Sequence, residues 1–129
     1  MSQARTRPMA NLIVRIDLGE YGRIGPGKII LLEMITVHGS ISAAGRAMGL
    51  PYRHAWELVE QLNATFKEPV VERKTGGKHG GGARLTEFGS ELLATLRAVQ
   101  RTAERATARH RHAIAAATKS GGVTGRKRA

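Results

Sequence analysis

The chain has no cysteine, and that one absence removes disulfides, thiolate metal sites and cysteine nucleophiles together. Aromatic residues are scarce: one tryptophan, two tyrosines and two phenylalanines in 129 residues. Acidic residues are few as well, ten against 21 lysines and arginines. They are scattered, so no carboxylate pair or serine, histidine and acid set stands out, and no enzyme is expected. Nor is there a long apolar run. The stretch of large apolar residues from Ile29 to Leu32 is far too short to cross a bilayer, no secretory signal opens the chain, and a soluble cytoplasmic protein is expected.

What the chain has in plenty is positive charge and glycine. A formal charge of +11 and a pI near 11.3 on a single domain's length point to a polyanionic partner. Cationic side chains that neutralise phosphates release condensed counterions and so gain affinity without special geometry.

The stretch Gly39 to Phe66 reads as two helices joined by a tight turn. Ser42 is placed to cap a short first helix ending near Met48, Gly49 to close it in a left-handed conformation, and Pro51 to open the second. Ala55, Val59, Leu62 and Phe66 then form one apolar stripe, while Tyr52, Arg53, Trp56 and Glu60 share another face. A helix-turn-helix needs a small residue where its helices cross, and Gly45 is there. An ordinary helical hairpin is the alternative.

Around this stretch the chain divides into a basic arm (residues 1–10), a domain (11–107) and a basic, unstructured tail (108–129). Leu12, Val14, Ile16 and Leu18 alternate as in a strand. The glycines of GEYGRIGPG break it, and Pro26 to His38 reads as an apolar core helix. After Pro69, VVERK and RLT flank TGGKHGGGA as a two-stranded wing, with the strand near Leu12 as the expected third member of its sheet. Thr86 caps a last helix whose seam, Phe88, Leu92, Leu96, Val99, Ala103 and Ala106, is long enough for its distal half to meet a second copy. The fold class is therefore α+β, mainly α: a winged helix-turn-helix with a small antiparallel sheet and a long C-terminal dimerisation helix.

This order of elements resembles the bacterial regulators of the LysR and ModE type. The matching residues are GRIGPGKIILLEMI (22–35), GSISAAGRAMGLPYRHAWELVEQLN (39–63) and EPVVERKTGGKHGGGARLTEFGSELL (68–93). The resemblance implies a homodimeric, sequence-specific DNA-binding transcriptional regulator linked to molybdenum metabolism. Leu92, Leu96, Val99 and Ala103 are then the dimerisation positions. Two features depart from the pattern: Gly45 and Pro51 replace a usual alanine and serine. Nothing after Leu93 matches the family's molybdate-binding domains, and no molybdate site is found in the sequence.

A winged helix sends the second helix of its motif into the major groove. Arg53 is the expected base contact, since a guanidinium takes both acceptors of a guanine, with Tyr52 and Trp56 beside it. Trp56 either touches DNA or packs beneath the wing. Ser40, Ser42 and Arg46 on the first helix, and Lys74, Lys78, His79 and Arg84 on the wing, are the expected phosphate contacts. The binding site is expected to be pseudo-palindromic.

No cofactor or metal is called for. TGGKHGGG lacks the serine or threonine of a phosphate loop, and His110 and His112, two apart, point to different sides of a helix. The competing readings are a non-specific architectural protein on DNA or RNA and a protein-interaction module.

Overall fold

A computed structural model describes residues 10–74 and 81–119. The expected arm up to Met9, the wing tip with Lys78 and His79, and the tail from Ser120 lie outside the described residues. The chain divides into two bodies, Val14–Val99 and, separately, the stretch up to Ile13 with that from Gln100 onward.

The first body opens with a hairpin where the glycines were expected only to end a strand. Strand β1 (Ile16–Asp17) pairs antiparallel with β2 (Arg23–Ile24), setting Ile16 opposite Ile24. The intervening turn needs glycine: Gly19 and Gly22 have φ of 66° and 111°, a region that Cβ-bearing residues rarely enter. Asp17 accepts the Gly19 N–H at 2.9 Å, and Leu18 N–H donates to Gly22 at 2.8 Å. These strands form their own two-stranded sheet, so the wing does not gain its third strand from this region as expected.

Helix α1 (Pro26–His38) forms as read, with Pro26 in its first turn and Gly39 closing it at φ 77°. Its Ile29, Leu31, Leu32 and Ile35 are the centre of the core, where each buried side chain contributes roughly 1.5–3 kcal/mol. Helix α2 (Ile41–Ala47) and helix α3 (Tyr52–Thr65) follow. Ala55, Val59 and Leu62 bury the α3 stripe, and Phe66, just past the helix, meets Phe88 with ring centroids 5.6 Å apart. The helix stops at Thr65, ahead of Pro69. There the Thr65 hydroxyl turns back to the Gln61 carbonyl at 2.8 Å and reaches the Tyr21 carbonyl at 2.7 Å.

Strands β3 (Val71–Lys74) and β4 (Gly82–Leu85) form the wing, with Val71 opposite Leu85 and Lys74 opposite Gly82. On its outer side the Gly39 carbonyl accepts the Ala83 N–H at 2.8 Å. Thr86 caps helix α4 (Glu87–Ala116) as expected, its hydroxyl accepting the Gly89 N–H at 2.8 Å. Leu96 joins the core and Leu92 and Leu93 pack against it, while Arg97 pairs with Glu33 of α1.

In the second body α4 continues to Ala116, so residues 108–116 are helical where an unstructured tail was expected. Arg111 organises this part. It donates to the Thr107 hydroxyl at 2.9 Å, the Glu104 carbonyl at 2.7 Å and the Ala10 carbonyl at 2.8 Å.

Candidate nucleic-acid interface

Where α2 and α3 cross, a Cβ on Gly45 would lie 3.1 Å from the Ala55 methyl, which is why a residue without a side chain fits the middle of α2. Gly49 then turns the chain at φ 72°, and Leu50 N–H donates back to Gly45 at 2.8 Å. The cap of α2 is Ser40, not Ser42: the Ser40 hydroxyl accepts the Ala43 N–H at 3.0 Å. Ser42 lies inside the helix and accepts from Arg46 at 2.9 Å. Pro51 occupies the cap position of α3 in an extended conformation, one residue before the helix begins.

This geometry leaves the start of α3 open to solvent. Tyr52 is 51% exposed and the Arg53 side chain 90%. Arg53 approaches Glu57 at 3.9 Å, a solvent-exposed pairing of little energetic weight that leaves the guanidinium available. His54 is also exposed. Trp56 is half-buried and packs against the wing, with the Arg73 guanidinium 4.3 Å from the centre of its ring.

The wing, α2 and α3 enclose a cleft of about 170 Å³ lined by Ile41, Ser42, Tyr52, Arg73, Lys74, Gly81 and Gly82. Ser42, Tyr52 and Lys74, expected separately, are thus brought together. Arg84 is occupied in part, since its Nε meets Glu72 across the strand pair at 2.8 Å. Lys78 and His79 fall outside the described residues. Of the four expected dimerisation positions, Leu96 is 3% exposed and serves its own core, Leu92 is half-buried, and Val99 and Ala103 keep free surface.

Two residues that matter to this site escaped sequence reading. Arg73 had a signal: on a strand, period two places it on the face of buried Val71 and hence toward the body. Asn63 had none. Its side chain accepts the N–H groups of Val70 and Val71 at 2.7 and 3.1 Å and donates to the Val71 carbonyl at 3.1 Å, fixing the wing's first strand to the end of α3.

A tri-helical body, a close-crossed helix pair with its second helix open at the start, and a β-hairpin beside it define the winged helix-turn-helix class. Residues 28–90 match the family model of the bacterial regulatory helix-turn-helix proteins of the lysR family. The chain is 46% identical over 85 residues to the molybdenum-pterin-binding protein MopA of Rhodobacter capsulatus, a match covering 64% of this chain and 32% of that protein. It is 37% identical over 84 residues to the DNA-binding transcriptional dual regulator ModE of Escherichia coli K12, covering 65% and 32%. To the molybdenum transport protein ModE of Azotobacter vinelandii it is 36% identical over 95 residues, covering 74% and 34%. The chain spans about a third of the length of these relatives. Among the described residues no single helix is long and apolar enough to cross a membrane.

Proposed function

We propose that the chain is a DNA-binding transcriptional regulator linked to molybdenum metabolism, reading a pseudo-palindromic duplex as a homodimer. The observation that carries this reading is the open start of α3, where Tyr52 and Arg53 project beside a cleft shared with Ser42, Arg73 and Lys74. Arg53 reaches base edges, and Ser40, Ser42, Arg46, Lys74 and Arg84 hold phosphates. The molybdenum link rests on the ModE and MopA relatives. The dimer rests on Val99 and Ala103, which keep free surface on α4. Selection of bound sequences from a random duplex pool tests the regulator: a half-site repeated about one helical turn apart, 10–10.5 bp, is expected. Sedimentation at micromolar concentration tests the dimer, and a monomer alone removes it.

The excess of basic residues favours one other reading, non-specific binding to DNA or RNA. A regulator keeps a ratio of roughly 10³ or more between selected and random duplex, whereas an architectural protein does not.

A further inference from the structure

Arg101, Arg105 and Arg109 recur every four residues in α4, so they rise along one face about 6 Å apart. All three are exposed. Among the described residues none is ion-paired, the salt bridges joining Arg53 to Glu57, Arg84 to Glu72 and Arg97 to Glu33. From Gln100 to Lys119 five cationic residues, these three with Arg111 and Lys119, stand against the single acid Glu104. Arg111 is different in kind, because three hydrogen bonds tie it into its own body. Repelling cations at i, i+4 weaken a helix, and between Gln100 and Lys119 Glu104 alone, three residues after Arg101, is placed to offset part of that repulsion.

We propose that this arginine row is a second phosphate-binding surface, which grips duplex DNA without regard to sequence. The proposal rests on the reading of the chain as a DNA-binding protein. A guanidinium matches a phosphate with two parallel N–H donors, so a row of three along a rigid helix suits a backbone. The row's neighbours on the helix, Thr102, Ala106, Ala108 and His112, offer no large apolar anchor of the kind that dominates protein docking. At 100° per residue the row also lies on the opposite side of α4 from Val99 and Ala103, so self-association through those positions leaves it open.

The test changes all three arginines to glutamine in the full chain, and separately to lysine. Glutamine keeps helix propensity, and the exposed positions leave the fold intact. Affinity is followed by fluorescence anisotropy against salt, on a selected duplex and on a random one. The glutamine variant is expected to flatten the slope of log K against log salt by up to about 2.7 on both duplexes, at 0.9 per phosphate, while the lysine variant keeps it. A glutamine variant with an unchanged slope on both overturns the proposal. So does an unchanged slope with altered sedimentation, which assigns the row to a protein contact. If the wild-type chain prefers no sequence at all, yet the glutamine variant still flattens the slope on random DNA, the regulator reading fails and the arginine row stands.

Discussion

The Arg73 guanidinium lies 4.3 Å from the centre of the Trp56 ring, joining the wing's first strand to the exposed helix of the motif. The contact holds the hairpin against α3 and covers one face of the indole with a cation. At a site this exposed the attraction is worth about 0.5–1 kcal/mol. Arg73→Ala is expected to lower stability by about that amount and to weaken DNA binding on all sequences alike. Trp56 is the sole tryptophan, so its emission reports the loss directly. An unaltered spectrum in Arg73→Ala shows that the contact does not persist in solution.

Asn63 is the other tie between α3 and the wing. Val70 and Val71 are buried, so losing their acceptor strands two N–H groups away from water. Asn63→Leu is expected to cost about 2 kcal/mol or more, whereas Asn63→Asp keeps the oxygen that accepts both N–H groups, loses only the donor to the Val71 carbonyl and costs less. Urea unfolding of the two variants gives the comparison, and equal losses rule out the acceptor role.

This contrast shows what was legible beforehand. Helix α1, the Gly45 crossing, the Gly49 turn, the wing strands and the Thr86 cap each follow from local spacing or from a backbone need that few residues meet. The hairpin around Gly19 and Gly22 was missed because glycines that reverse a chain look, in sequence, like glycines that break one. Asn63 and the Arg73 contact with Trp56 pair residues on different elements, and periodicity within one element carries no sign of them. Ser42 was the expected cap, and the backbone path after Gly39 gives that place to Ser40.

Two glycines of the helices differ sharply in what a methyl would meet. On Gly89 it would lie 2.1 Å from the Val70 carbonyl oxygen, a main-chain atom that Thr86 N–H also holds, at 2.9 Å. Gly89→Ala is therefore expected to lose about 3 kcal/mol to overpacking, well above the roughly 1 kcal/mol gained in helix propensity. On Gly45 the neighbour is a methyl at 3.1 Å, so a shift of a few tenths of an ångström suffices. Gly45→Ala is expected to stay within about 1 kcal/mol of wild type. Thermal unfolding ranks them, and a Gly89→Ala as stable as Gly45→Ala contradicts the packing.

Lys28 donates to the Arg23 carbonyl at 2.9 Å, and burial together with the nearby Arg23 charge holds its amine below the usual 10.5. In the window just below 10.5 the unfolded chain then binds more protons than the folded one. Unfolding free energy therefore rises with pH there, and the penalty on the cation is fully present at neutral pH. Lys28→Gln is expected to lack this component of the slope when denaturant unfolding is followed from neutral pH upward. Parallel curves for the two proteins show that Lys28 titrates alike in both states.

Arg53 and Lys74 make separable predictions because the proposed function gives one a base contact and the other a phosphate contact. Arg53→Ala removes a bidentate donor from the start of α3, so it is expected to cost about 1–3 kcal/mol on the selected sequence and little on random DNA, relaxing preference at one position. Lys74→Ala removes a point charge from the cleft edge. It is expected to weaken every sequence alike and reduce the salt slope by about 1. Arg84→Ala is expected to do less than Lys74→Ala, since Glu72 already holds its Nε and the change leaves that carboxylate to repel phosphate only at an exposed edge. Anisotropy titrations on matched selected and random duplexes distinguish the three. Equal losses on both duplexes for Arg53→Ala place its contact on the backbone, and the base-reading role then passes to Tyr52 or His54 at the same open end of the helix.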